Sequence, residues 1–337
     1  MKVITCQKPG AFTLNDQPMP TLGQEESLIK IKRVGICGTD LHAYAGNQAF
    51  FDYPRVLGHE LSGEVVAANG LISGCKEGDE VVIIPYLHCG HCRACLQGRT
   101  NCCSTLEVLG VHIDGGMSEF IAVPNDLLLP AKGLTLEEMA IVEPLCIGTH
   151  AVNRVPLQKG DWVAVSGCGP IGVGIIWAAQ QEGARVIALD IEEHRLAFVK
   201  EKLGVSEVLN AHEDPIGKIG EMTNGEMVSV AFDATGAKVP MEQGVDYVGS
   251  GGYYVLVGLN KGKLAFHHPD LHRKELAIVC SRNATKADFN LVISRLQDKS
   301  FPAEDYITHR VPADEILRSF DYWRNPVNQV MKAMTEW

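Results

Sequence analysis

The sequence predicts an α/β protein in which a doubly wound parallel sheet domain follows a mostly β region. Three observations carry that prediction. From Asp161 onward, apolar runs of strand length alternate with helix-length patterns; the turn after the first of these strands reads G-x-G-x-x-G; and before residue 150 the apolar runs are short and separated by glycine and proline. A chain of 337 residues is also long enough for two domains.

In the first region "SLIKIKRVGIC", "LSGEVVAA" and "DEVVIIP" read as strands. Cys37 follows the first of them in "GICGTDLH", and His59 with Glu60 lies in "VLGHE". Thiolate and imidazole are borderline-soft donors suited to zinc, and a catalytic zinc takes three protein ligands and keeps one place open.

Five cysteines then fall in "CGHCRACLQGRTNCC". The chain holds 11 cysteines, an odd number, and its amino terminus, "MKVITCQKPG", lacks the apolar segment of a secretory signal. A cytoplasmic protein is expected, where disulfides do not persist and clustered thiols are explained by a metal. Cys89, Cys92, Cys95 and Cys103 give C-x-x-C-x-x-C with a fourth thiol further on, enough to close a tetrahedron around zinc. Such a site is coordinatively full and therefore structural. Cys102 competes with Cys103 for the fourth place, and an iron–sulfur cluster uses similar thiols.

In the second region "DWVAVSG" is a strand, "CGPIGVGIIWAAQQEG" a turn and helix, and "ARVIALD" the next strand, which is a βαβ unit. Gly167 permits the tight turn, Gly169 admits a pyrophosphate to the backbone, and Gly172 allows close helix packing, with Pro170 and Ile171 between them. The phosphate would sit on the helix amino terminus, where free N–H groups and the dipole favour anions. Asp190, closing the second strand, is placed to accept a ribose 2′-hydroxyl. Together with Glu192 and Glu193 it repels a 2′-phosphate, so NAD is expected over NADP. Arg195 and Asp233 are further candidate cofactor contacts, although Asp233 could serve only as a helix cap. "EEHRLAFVKEKLG" continues as helix and "VSVAFDATG", "GGYYVLVGL" and "ELAIVCS" as strands, with "GGYYVLVGL" expected at the sheet edge.

The net charge of −11 comes with scattered acids and no basic stripe, which excludes nucleic acid as an expected partner. No apolar run approaches the roughly 18 residues that would span a bilayer, so no membrane partner is expected.

"GICGTDLH", "GHE", the four-thiol loop, "EPL" at Glu143–Leu145 and "GCGPIG" occur in the order found in zinc-dependent medium-chain dehydrogenases, and the chain resembles that family over nearly its whole length. The resemblance implies a GroES-like catalytic domain at 1–146, a Rossmann NAD-binding domain inserted at 147–283, and a return of 284–337 to the first domain. It implies two zinc ions per chain, one structural and one catalytic. Cys37 and His59 would hold the catalytic ion with Glu60 or Glu143, which compete for the third place, and Cys146 is a softer alternative. A glutamate at 143, where the classical alcohol dehydrogenases carry cysteine, points to the polyol, threonine and sugar-acid branch.

The resemblance further implies that zinc and NAD share one cleft, with zinc acidifying the substrate hydroxyl and hydride passing to the nicotinamide. Thr39 and His42 would relay the displaced proton, unless they only hydrogen-bond locally. "LGVHIDGGMSEF" and "HRKELAIVCSRNATKADF" resemble the sugar-acid members acting on L-galactonate or L-gulonate, with Arg282 and Asn283 as tentative substrate residues. A polyol, polyol phosphate or L-threonine is the alternative substrate, and a non-catalytic NAD(H)-binding redox sensor the alternative of another class. A homodimer or homotetramer is implied.

Overall fold

The segment ESLIKIKRVGI, Glu26–Ile36, forms the strand on which the amino-terminal half is organised. Its β-branched residues favour a pleated, half-buried surface. Ile29 and Ile31 are fully buried, and then the inward positions shift to Val34 and Ile36. The shift has a local cause: the pairing with Glu60–Ala68 slips between Ile31 and Arg33, and an extra residue in one strand moves every later side chain to the opposite face.

The computed structural model describes residues 1–48, 51–72 and 74–337. The chain divides into two units, Met1–Glu143 with Thr285–Trp337, and Pro144–Ala284. In the first, a seven-stranded sheet runs in the order Leu128–Pro130, Glu80–Ile83, Glu60–Ala68, Glu26–Ile36, Lys332–Glu336, Ile307–Pro312, and Phe120–Pro124 pairs with the other end of Glu26–Ile36. A three-stranded sheet of Ala11–Asp16, Lys2–Lys8 and Arg55–Val56 packs with it around a core that includes Ile4, Ile31, Leu57 and Phe320.

Three strand ends coincide in this sheet. Gly35 lies opposite Glu60, and Ile36 lies opposite Ala333. Cys37 therefore leaves one strand where Glu60 enters the second and Lys332 enters the third. Gly35 is required at this crossing, because a Cβ there would run into the Glu60 carboxylate and come within 2.9 Å of the Glu60 Cβ.

In the second unit six strands, all parallel, take the order Glu207–Asn210, Arg185–Asp190, Trp162–Ser166, Val228–Asp233, Val248–Leu256, Ala277–Cys280. Numbered within the unit this is 3-2-1-4-5-6, the doubly wound arrangement whose strand order reverses beside the first strand. Its buried side chains include Ile187, Leu209, Ala231 and Tyr254. The strand containing "GGYYVL" is not at the edge as expected. It is hydrogen-bonded on both sides, and Ala277–Cys280, from "ELAIVCS", forms the edge instead. The half-exposed pattern of Ala277–Cys280 fits that place, whereas Tyr254 and Val255 are buried.

Replacing Gly35 by alanine should cost about 1–3 kcal/mol, the usual penalty of overpacking a filled site. The denaturant midpoint measures it, and an unchanged midpoint would mean that Glu60 moves aside freely.

Candidate active site

Cys37 caps the helix Gly38–Tyr44, and the sequence "CGTD" builds that cap: the Cys37 backbone N–H donates to Asp40 Oδ2 at 2.9 Å. The other oxygen of Asp40 accepts from the Gly58 N–H at 3.2 Å. One buried carboxylate thus ties the segment carrying Cys37 to the segment carrying His59. Asp40 Oδ1 also stands 3.7 Å from His59 Nδ1, which has no hydrogen-bond partner among the described residues. A carboxylate behind an imidazole orients the ring and leaves its other nitrogen for a metal.

Ligand atoms of Cys37, His59 and Glu60 all lie within 4.8 Å of one another. Glu60 is fully buried, and both its oxygens accept from Lys332 Nζ, at 2.6 and 2.8 Å. The same ammonium donates to the Ile36 carbonyl at 3.2 Å. Glu143, also buried, accepts a short hydrogen bond from the Tyr86 hydroxyl and is not one of the trio. Burial raises the Glu143 carboxyl to about 7, reinforced by the charge of Glu60 and opposed by His59 and Tyr86. Burial likewise raises Asp40. Burial works against a charged imidazole at His59, yet the neighbouring charges of Asp40 and Cys37 prevail and hold its pKa well above the usual value. Three carboxyl groups and a thiol face one imidazole and one ammonium, a donor set that fits a divalent cation.

Thr39 and His42 lie on the helix that Cys37 caps, His42 exposed in its last turn. Thr39 is half-buried. Cys146 is fully buried within the second unit.

The thiols of Cys89, Cys92, Cys95 and Cys103 converge, with Sγ–Sγ separations of 3.5 Å for Cys92–Cys95, 3.5 Å for Cys103–Cys89 and 4.0 Å for Cys89–Cys95. A zinc–thiolate tetrahedron with bonds of about 2.3 Å has edges of about 3.8 Å, so the spacing fits. Backbone N–H groups of Cys95 and Ser104 lower the Cys92 thiol to about 5, and the Cys89 N–H, 3.4 Å from Cys103 Sγ, helps to lower Cys103 to about 7. Cys102 is not one of the four; its sulfur faces the Arg99 guanidinium at 3.7 Å.

In the second unit Gly167 adopts φ +91°, and a Cβ on Gly172 would collide with the Gly167 carbonyl. Gly169 caps the helix Pro170–Gln181, with Pro170 at its first position, where a missing N–H costs nothing. Asp190 is buried, and its carboxylate accepts from the N–H groups of Cys168 at 2.6 Å, Ile191 at 2.8 Å and Glu192 at 3.0 Å. Arg195 stands 3.9 Å from it, beside Gly169. The Asp233 carboxylate accepts from the Thr235 N–H and hydroxyl and from the Gly236 N–H, in the loop before the helix Lys238–Gln243, whose cap is Ala237. Arg282 is exposed. Asn283 adopts φ +52°, a conformation asparagine tolerates, and its buried Nδ2 has no partner among the described residues.

Sequence reasoning missed Asp40, Tyr86 and Lys332. For Lys332 a signal existed: a lysine placed within the apolar alternation of "VMKAMTE" at the end of the chain.

Comparison with known proteins agrees with these features. Residues 23–133 match the alcohol dehydrogenase GroES-like domain, and residues 170–298 match the zinc-binding dehydrogenase family. The L-galactonate-5-dehydrogenase of Escherichia coli K12 is 41% identical over 321 residues, 95% of this chain and 94% of that protein. The chain belongs to the zinc-dependent medium-chain dehydrogenases, in the polyol and sugar-acid branch. A sorbitol dehydrogenase of Halalkalibacterium halodurans is 32% identical over 93% of this chain and 92% of its own length. A crystal structure of an alcohol dehydrogenase, rspB, from Escherichia coli CFT073 complexed with NADH superposes with a TM-score of 0.93 at 28% identity, covering 100% of this chain and 99% of that one.

Zinc content of purified protein tests the thiol loop. Cys103→Ser should lower it by about one ion per chain, a four-thiol site being lost with any ligand, whereas Cys102→Ser should leave it unchanged.

Proposed function

We propose that the protein is an NAD-dependent zinc dehydrogenase that oxidises a secondary alcohol of a sugar acid, best represented by L-galactonate or L-gulonate. The observation that carries this reading is the convergence of half-buried Cys37 with buried His59 and Glu60, on a chain 41% identical to an L-galactonate-5-dehydrogenase. When bound, zinc acidifies a substrate hydroxyl and NAD accepts the hydride. Cys37 and His59 hold the metal with a carboxylate from Glu60 or Glu143, and Asp40 orients the His59 ring. Thr39 and the exposed His42 carry the released proton outward, an imidazole being suited to exchange near neutral pH. Gly167, Gly169 and Gly172, with Pro170 and Ile171, present the helix amino terminus to the pyrophosphate, and Asp190 and Arg195 take the adenosine side. The Asn283 amide, whose Nδ2 has no partner among the described residues, and the guanidinium of Arg282 would supply donors for a substrate carboxylate or for the cofactor.

Cys89, Cys92, Cys95 and Cys103 hold the second zinc and stiffen their loop. All eleven cysteines are free, in keeping with a reducing cytoplasm, and no helix among the described residues is long and apolar enough to cross a membrane. The strand Ala277–Cys280 has no strand partner on one side among the described residues, an edge through which two copies could associate as a homodimer or as half of a homotetramer.

A spectrophotometric screen of L-galactonate, L-gulonate, polyols and L-threonine with NAD tests the reading. Turnover is expected first with the sugar acids; zinc-replete protein that reduces NAD with none of them would reject it. Cys37→Ser should remove about 4 kcal/mol of transition-state stabilisation, roughly a thousandfold in kcat, with NAD affinity nearly unchanged. Asp190→Ala should weaken NAD and narrow its advantage over NADP, as measured by the ratio of kcat/KM for the two.

A further inference from the structure

Three of the chain's 12 histidines, His267, His268 and His272, fall within six residues, and no part of the proposed chemistry uses them. His268 and His272 lie four positions apart on the helix His268–Lys274, the spacing that sets two side chains on one face over consecutive turns. Both are exposed, and their ring centroids are 6.0 Å apart. At that separation facing ring nitrogens can approach to about 3.7 Å, close to the roughly 3.4 Å edge of a tetrahedron with zinc–nitrogen bonds of about 2.1 Å. His267 is engaged elsewhere, with its Nδ1 2.7 Å from the Asp270 carboxylate.

The helix that carries the pair has little else to hold it. It has 7 residues, none of them buried, and it ends at Glu275 in the left-handed region, at φ +48°. A helix of that length is not stable by itself in water. Leu271 packs against the core of its unit, and Lys274 Nζ donates to the carbonyls of Val245 at 3.2 Å and Val248 at 2.8 Å. These two side chains take one face of the helix, and the imidazoles stand on another.

We propose that His268 and His272 form a surface site for one divalent transition-metal ion, of the zinc, nickel and copper class that imidazole suits, and that the ion clips two turns of this helix together. Two neutral imidazoles supply the protein ligands, and water fills the remaining positions. None of the residues proposed for either zinc centre takes part, so the inference stands apart from the proposed function. The helical form brings the two rings together and the unwound form parts them. An ion that bridges the rings therefore binds the helix in preference and stabilises it by linkage.

Calorimetric titration of tag-free, zinc-replete protein with nickel(II) tests the site. Nickel uptake should fall by one ion per chain in His268→Gln and in His272→Gln, and should persist in His267→Gln. Zinc content, expected at the wild-type value in all three variants, separates loss of this site from damage to the zinc centres. Equal nickel uptake by wild-type protein and either of the first two variants would overturn the inference. The clip has its own readout in hydrogen exchange. With nickel at about a hundred times its dissociation constant, the helix amides of wild-type protein should exchange on the order of ten- to a hundredfold more slowly, and those of His272→Gln should not. Exchange that stays the same with nickel bound would mean that one imidazole holds the ion without joining the turns, which overturns the inference equally.

Discussion

The pairing of Gly35 with Glu60 across two antiparallel strands is the constraint from which the candidate centre follows. It places a carboxylate at full burial beside the ends of the segments that carry Cys37 and His59, and a buried carboxylate is tolerated only with a cation and hydrogen bonds at hand. The sheet supplies the cation from the far end of the chain. The strand Lys332–Glu336 pairs with Glu26–Ile36 in a register that sets Ala333 opposite Ile36, so its first residue arrives at Glu60. The carboxyl-terminal segment is thereby part of the site's electrostatics as well as of its scaffold.

The charges around that crossing do not balance on protein groups alone. Asp40, Glu60 and Glu143 are buried with the Cys37 thiol nearby, and against them stand Lys332 and an imidazole. The raised pKa values of Asp40 and Glu143, the latter to about 7, arise first from burial, and Glu60 pushes both further up. The raised value of His59 has the opposite character, since burial alone would lower it and only its anionic neighbours lift it. Buried carboxyls pushed up beside one another, around an imidazole that its anionic neighbours pull up, mark a region rich in negative charge. A divalent cation would favour the charged form of these carboxyls and oppose protonation of the imidazole, and that links the fold's burial pattern to the zinc chemistry of the family.

What could be read in the sequence was whatever lies close together along it. The thiols from Cys89 to Cys103, the glycines of the turn at Gly167–Gly172 and the "GHE" at His59 each declare their chemistry within a few residues. Helices and strands with clear periodicity, such as Pro170–Gln181 and Arg185–Asp190, were equally legible. Contacts that sequence distance conceals were not. Lys332 meets Glu60 across 272 positions, and Tyr86 meets Glu143 across 57. The strand Glu207–Asn210 was missed because a single buried leucine among three half-buried residues at a sheet edge carries too little alternation to register. The placing of "GGYYVL" at the edge failed for a related reason: strand order depends on which face a later strand covers, and no local pattern records that. Asp40 is the intermediate case, close to Cys37 in sequence, yet its reach to Gly58 and His59 shows only in the fold.

At the glycine turn the side chain proposed to read the cofactor is also scaffold. Asp190 accepts from the backbone of Cys168, inside the glycine turn, and from Ile191 and Glu192, at the start of the following loop. Its carboxylate therefore holds the turn against the end of its own strand whether or not a ribose is present, and it does so at 6% exposure. A carboxylate oxygen has two lone-pair directions, so these bonds leave capacity for a hydroxyl donor at the accessible edge. A 2′-phosphate would meet the same fixed negative charge, and nothing in the loop could swing it away without releasing the Cys168 N–H. If Asp190 is the cofactor-reading residue, as proposed, a substitution that changes the reading also disturbs the turn. Arg195, 3.9 Å from Asp190 and only partly exposed, offsets some of that charge without cancelling its role, because the carboxylate is anchored by backbone donors that a side-chain cation cannot replace.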